Sequence, residues 1–70
     1  MSHLVGVDEI LDLIAEVKEI DHIDAQPPQE GLVPMALYCE DQVYSEVFVT
    51  KKDFLELKEI LKHTITFRLV

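Results

Sequence analysis

Residues 32–50 read LVPMALYCEDQVYSEVFVT. Two runs rich in β-branched and aromatic residues flank the polar break at residues 40–42, a pattern typical of two antiparallel strands joined by a short connection. Side chains alternate between the two faces along each strand. The sequence therefore predicts a β-hairpin, around which the other elements must be placed.

The register of this hairpin decides which side chains share a face. A two-residue loop at residues 41–42 would pair Leu37 with Glu46 and mix apolar with charged positions. We therefore expect a loop of about three to five residues and one aliphatic face turned to the core. The aliphatic face holds Val33, Met35, Leu37, Cys39, Val43, Ser45, Val47 and Val49. The opposite face holds Tyr38, Tyr44, Glu46 and Phe48.

Length and composition indicate a single small domain over residues 1–70. The apolar fraction of 49% is enough for a packed core. A chain this short buries only about 60% of its unfolded surface, so self-association often supplements its stability. Cys39 is the only cysteine, which excludes a disulfide within one chain. We expect it to act as a small buried hydrophobe.

The charge is strongly acidic and unevenly distributed. The chain has 14 acidic and 6 basic residues, a formal net charge of -8. Eleven of the acidic residues lie in residues 1–46, and five of the basic residues lie in residues 47–70. This balance argues against binding nucleic acid or anionic membranes, both of which favour clustered Lys and Arg. No signal-peptide or membrane-span pattern is recognisable, so we expect a cytoplasmic location.

Residues 7–22 have helical periodicity, with the helix ending near residues 20–22. Acidic residues cover one side of this predicted helix, and the pairs at i,i+4 repel each other. Two interpretations are open: the acidic side maintains solubility, or it docks onto a basic partner. The carboxylates that would dock are Asp8, Asp12, Glu16 and Glu19.

The segments around this helix are short. Leu4 and Val5 either add a stub of strand or fray. Residues 21–24, Asp-His-Ile-Asp, superficially suggest a metal site, but a solvated helix end explains them better because zinc needs three or four converging ligands. Residues 25–31, with two prolines and a glycine, are expected to connect the helix to the hairpin. Pro34 suggests that its strand is an edge strand or that pairing begins after it.

The C-terminal third predicts a helix and a strand. Thr50 and Asp53 have the spacing of a capping box, and the helix should run to residue 62 or 63. Residues 64–70 alternate as a third strand, with Ile65, Phe67 and Leu69 inward. A right-handed crossover makes this strand parallel to the second hairpin strand, so the sheet would be mixed.

These elements predict an α+β, two-layer sandwich in the order α-β-β-α-β. Both helices would cover the aliphatic face of a three-stranded sheet. The other face would stay open and would expose Tyr38, Tyr44 and Phe48, residues of the kind enriched at interfaces. An RNA-binding sheet uses aromatics in the same way, but it needs a basic groove that this chain lacks.

The sequence contains no catalytic signature, cofactor fingerprint or metal-binding spacing, so we expect a protein that is not an enzyme. The leading hypothesis is a binding domain that docks on a basic surface of a partner protein, in its most specific form an inhibitor that imitates nucleic acid. The alternative is a homodimeric accessory protein that associates through the aromatic sheet face. An enzyme or metal protein built on Asp21, His22 and Asp24 is the third hypothesis.

Overall fold

The computed structural model describes residues 3–70 as two helices packed on a four-stranded sheet. Met1 and Ser2, which belong to the predicted domain, lie outside the described residues. The elements are α1 (Val7–Glu16), β1 (Ile20–Ala25), β2 (Leu32–Cys39), β3 (Gln42–Thr50), α2 (Lys51–Leu61) and β4 (Thr66–Leu69). The predicted α+β fold is confirmed. Its order is α-β-β-β-α-β, so the prediction of a three-stranded sheet was wrong by one strand.

The strands lie in the order β3-β2-β1-β4. β1 pairs antiparallel with β2 and β2 pairs antiparallel with β3, whereas β4 pairs parallel with β1. The sheet is therefore mixed, as predicted. The last strand lies beside neither hairpin strand, because β1 separates it from them.

The additional strand is β1, which the sequence prediction had divided between the end of the helix and the connector. α1 ends at Glu16, where the N–H of Val17 donates to the carbonyl of Leu13 at 2.8 Å. The register shifts between Ile20 and His22, a bulge that changes the phase of side-chain alternation. The bulge hides the strand periodicity in the sequence.

The hairpin of β2 and β3 has the predicted register, reached by a different connection. Leu37 lies opposite Ser45, as expected from the aliphatic face. The loop is only two residues long, since Cys39 pairs with Gln42, and a register shift leaves Tyr44 without a partner on β2. The bulge at Tyr44 shifts the alternation of side chains by one residue, so the predicted register is reached without the longer loop.

β1 and β2 are joined through a tight turn at Glu30 and Gly31. Both residues have positive φ, 55° and 80°, as a type I′ turn requires. Gln29 and Leu32 exchange two backbone hydrogen bonds across this turn, at 2.7 and 3.0 Å. The glycine at the second turn position therefore has a conformational reason, since φ of 80° disfavours residues with a Cβ.

Pro34 lies in a central strand, so the first alternative, an edge position, was wrong. The second alternative agrees with the register toward β1, where the pairs begin at Met35. Its carbonyl accepts a hydrogen bond from the N–H of Gln26 at 3.0 Å, just beyond the last registered pair of β1 and β2. The backbone of Phe48, opposite Pro34 on β3, points away and bonds to the N-terminal segment. The proline thus occupies the end of one ladder, where a missing N–H breaks little pairing.

The core lies between the helices and one face of the sheet, as predicted. Ile10 of α1 and Leu57 of α2 pack in the same cluster as Ile23 and Leu37, all at most 1% exposed. The N–H of Asp53 donates to the Thr50 side chain at 3.1 Å, which confirms the predicted cap of α2. The opposite face of the sheet carries no helix among the described residues and is called the open face below.

The outer edge of β3 is partly covered by residues 3–5. Phe48 donates to the carbonyl of His3 at 2.8 Å and accepts from the N–H of Val5 at 2.9 Å. Leu4 and Phe48 form an isolated parallel bridge. Of the two alternatives for this segment, the stub of strand is correct, at the length of a single bridge.

Candidate protein-docking surfaces

The exposed side of α1 carries the first group of candidate residues. Its members are exposed, they lie at the spacing of one helix face, and none makes an ion pair within residues 3–70. We call them the helix carboxylates: Asp8, Glu9, Asp12 and Glu16. No base lies in the last turn of α1, so Glu16 faces the negative end of the helix dipole without compensation.

Glu19 does not lie on this helix, contrary to the prediction. It follows α1 in the turn that leads to β1, and it lines a shallow cleft at the end of the β2–β3 hairpin. The acidic side chains around this cleft are called the hairpin-end carboxylates: Glu19, Asp21, Glu40 and Asp41. Of these four carboxylates, only Asp21 has an ionisable partner within the described chain, Nδ1 of His22 at 2.7 Å. The candidate acidic residues therefore form two groups instead of one stripe.

Cys39 lies inside the hairpin-end group. Its side chain packs partly against the core, and this burial raises the pKa of the Cys39 thiol. The nearby carboxylates of Glu19, Asp21 and Glu40 raise that pKa further. A thiol with a raised pKa is a poor nucleophile at neutral pH, so the environment favours the structural role expected for Cys39.

The three candidate aromatics do not form one continuous surface. Tyr38 lies on the open face, where His22 stacks on its ring with centroids 4.6 Å apart and planes inclined by 13°. Phe48 is half-buried opposite Pro34. Tyr44 sits at the β3 bulge, 49% exposed, and does not share the groove that the other two line.

That groove, the open-face groove, has a volume of about 330 Å³. Tyr38 and Phe48 line it together with Ala36, whose side chain is small. Glu46, which pairs with Ala36, and Asp24 place carboxylates in the same lining. A groove with two aromatic rings and two carboxylates suits an apolar side chain or a cation from a partner.

Asp24 is already neutralised by Arg68. The guanidinium donates two hydrogen bonds to the carboxylate, from Nε at 2.7 Å and from Nη2 at 3.1 Å. These hydrogen bonds are the main reason why the pKa of Asp24 lies below its ordinary value of 3.8, and the positive charge of Arg68 adds to them. The same contact raises the pKa of Arg68. Glu46 is thus the carboxylate of the groove that has no ion pair within residues 3–70.

The cluster proposed for a metal site is not arranged to hold one. Asp24 is engaged by Arg68, and Nδ1 of His22 bonds to Asp21. Nε2 of His22 is buried without a hydrogen-bond partner in the described part of the chain. Residues 3–70 contain no group of three or more His, Cys, Asp or Glu side chains that could hold a metal ion. The geometry therefore gives the third hypothesis no support.

The contacts of the open face were not predicted from the sequence, because β1 itself was not predicted. His22 and Asp24 enter the sheet only once β1 is recognised, and their neighbours lie on other strands. A usable signal was present in residues 22–25, where His22 and Asp24 alternate with Ile23 and Ala25 in the strand pattern.

A scan against protein-family models finds no match for this chain, and a search of curated proteins finds no significant match either. In the described residues, no helix combines the length and the apolar character needed to cross a membrane.

Proposed function

We propose that this chain is a non-catalytic binding domain that docks on a basic surface of a partner protein. The observation that carries the proposal is the row of helix carboxylates, exposed and without ion pairs in residues 3–70. Unpaired like charges on one helix face reduce helix stability by a few tenths of a kcal/mol per pair. An exposed row of unpaired carboxylates attracts a basic partner and steers its approach.

The hairpin-end carboxylates extend the acidic character beyond α1. Glu16 is the last residue of the helix, and Glu19 follows it three residues later in the turn before β1. A basic partner could therefore contact acidic side chains from two parts of the chain. Such complementarity mainly accelerates association and selects the partner, since rim charges act on encounter more than on the final affinity.

The open-face groove is the candidate for the apolar part of the contact. Interfaces depend on a few well-packed anchors, among which tyrosine and arginine are enriched. Tyr38 and Phe48 offer ring surface, and Glu46 can accept a hydrogen bond from an inserted Lys or Arg. Tyr44 stays a predicted contact outside the groove.

A homodimer that associates through the open face is the weaker candidate. It is supported by the partly exposed rings of Tyr38 and Phe48, but face-to-face packing of two copies would bring two Glu46 carboxylates into one interface. Buried like charges oppose association. A partner that supplies a positive charge removes this difficulty, so we favour docking on a basic protein.

Imitation of nucleic acid is the most specific form of the proposal. Successive helix carboxylates at i,i+4 lie about 6 Å apart along the axis, a regular row of negative charge. A protein that binds DNA or RNA through Lys and Arg could accept such a row in place of phosphates. The cytoplasmic location expected from the sequence belongs to the proposal as well.

The test compares two charge-reversed variants as affinity baits in lysate of the organism that encodes the chain. The double variant Asp12→Lys, Glu16→Lys on α1 changes the net charge of the chain from -8 to -4. The double variant Glu56→Lys, Glu59→Lys on α2 changes it by the same amount. We expect wild type and the α2 variant to retain one basic protein that elutes in a salt step. With that protein purified, calorimetry should give an affinity at least about tenfold weaker for the α1 variant.

A thermal melt of each variant shows whether the fold is intact. Since all four positions are exposed, we expect midpoints close to wild type. Equal retention by the α1 and α2 variants would refute docking through α1. For the nucleic-acid form, DNA or RNA must compete with this chain for the captured protein, and simultaneous binding of both would reject imitation.

A further inference from the structure

The two edges of the sheet differ in how they are protected against pairing with another strand. The β3 edge is covered by residues 3–5 at Phe48 and interrupted by the bulge at Tyr44. Cover, bulges and charge are the usual devices against edge pairing. β4 has neither cover nor a bulge along its outer edge in the described chain, and its charged residue, Arg68, is turned to Asp24 on the open face.

The outer edge of β4 presents free backbone groups. The N–H of Val70 donates to the carbonyl of Ala25 at 2.9 Å, which fixes the side of β4 that faces β1. Backbone groups in a strand alternate between its two edges, so the N–H and C=O groups of Phe67 and Leu69 point outward. β1 is the only strand beside β4 within residues 3–70, and these groups have no partner there.

The side chains at this edge are apolar and exposed. Leu69 is 73% exposed although it lies on the face that the helices cover elsewhere, and Val70 is 63% exposed. A cleft of about 360 Å³ opens between the end of α2 and β4, and Ile65 and Phe67 form part of its lining. An exposed leucine beside an unfilled cleft on an unprotected edge is a typical arrangement for strand addition.

We propose that β4 pairs with β4 of a second copy in an antiparallel twofold dimer centred on Phe67. The sheet then grows from four strands to eight, with the helices of both copies on the same side. The two Phe67 residues exchange backbone hydrogen bonds. Leu69 of each copy lies beside Ile65 of the other, at the mouth of the cleft, and donates its N–H to the Ile65 carbonyl, because the Ile65 N–H is already bonded to the carbonyl of Leu61 at 2.9 Å. Residues directly opposite share a face, so only apolar side chains meet on the helix-covered side.

Charge selects this register over its neighbour. Centring the pair on Arg68 would place two guanidinium groups directly opposite each other, which is destabilising. Centring it on Phe67 places Arg68 opposite Thr66 instead. The α1 and hairpin-end carboxylates are not part of β4 or of the cleft lining, so the dimer leaves them free. This inference does not depend on the proposed function.

Hydrogen exchange measured by NMR tests the pairing directly. The amides of Phe67 and Leu69 should exchange at least about tenfold more slowly at millimolar than at micromolar protein, because only the dimer protects them. The amide of Val70, bonded to Ala25, should be protected at both concentrations. Sedimentation should show the mass of a dimer over the same range. Exchange at Phe67 that is independent of concentration would overturn the proposal.

Three leucine variants locate the contact. Leu69→Lys should weaken the dimer strongly, since its ammonium would meet Lys58 and Lys62 at the cleft, whereas Leu55→Lys on exposed α2 surface should leave it intact. Leu69→Glu should weaken the dimer at least about tenfold less than Leu69→Lys at low salt, because its carboxylate would meet the same lysines. Equal effects of the Lys substitutions at residues 55 and 69, or equal weakening by Leu69→Glu and Leu69→Lys, would contradict the contact.

Discussion

Arg68 and Asp24 are 44 residues apart in the chain, and their side chains meet through two hydrogen bonds on the open face. The stack of His22 on Tyr38 is a second contact between residues far apart in the chain, and it joins β1 to β2. Neither could be derived from sequence spacing, because both depend on which strands are neighbours. A residue pattern predicts which face a side chain takes, but strand order decides what it touches.

The ion pair of Asp24 makes stability depend on pH in a defined direction. The pKa of Asp24 is lowered in the folded state, so its carboxylate stabilises the fold at pH values above its unfolded pKa. This contribution is lost as pH falls through the folded pKa. We expect Asp24→Asn to lower the thermal midpoint at pH 7, and the difference from wild type to shrink as the pH is lowered from about 4 to about 2.

Asp12→Asn is the control for this measurement, because Asp12 is exposed and has no ion pair within the described residues. Its midpoint should stay near that of wild type at pH 7 or rise slightly, since repulsion on α1 is relieved. A difference between Asp24→Asn and wild type that is the same at pH 7 and pH 2 would exclude a contribution from the ionised pair.

At the scale of elements, the sequence predicted what local chemistry determines. The cap at Thr50 and the aliphatic face of the hairpin follow from residue type and spacing, and both are found. β1 was missed because a bulge at its start breaks the alternation and because acidic residues continue past the end of α1. The predicted contribution of Glu19 to the helix face failed for the same reason.

The dipole of α1 gives an element-scale prediction with an internal control. Glu16 ends the helix and Glu9 lies in its first turn, and lysine at either position gains a neighbour in Asp12. Only the interaction of the lysine charge with the helix dipole differs in sign. It is favourable at the C-terminal end of the helix and unfavourable at the N-terminal end. We expect Glu16→Lys to be more stable than Glu9→Lys by about 1 kcal/mol in urea unfolding. If Glu9→Lys were the more stable variant, the helix dipole would not be the interaction that decides their relative stability.

At the scale of the molecule, different parts of the surface carry different types of side chain. Acidic side chains occupy α1 and the hairpin end, rings and a single unpaired carboxylate occupy the open-face groove, and β4 ends in exposed aliphatic residues. The sequence predicted the open face and the acidic helix. It could not predict that β4 would become an edge strand, because that position depends on β1.

The net charge of -8 also acts across the whole molecule, whose principal extents are 30 × 22 × 19 Å. At about 0.01 M salt the screening length is about 30 Å, so every carboxylate repels the others; at about 0.15 M it is about 8 Å, and only neighbours interact. We therefore expect the thermal midpoint to rise with sodium chloride over this range. The variant Asp12→Asn, Glu16→Gln should rise less than wild type, because it carries two fewer negative charges. Thermal melts at low micromolar protein keep self-association out of the comparison. An equal rise of the thermal midpoint with salt in the two proteins would show that repulsion among the helix carboxylates does not limit stability.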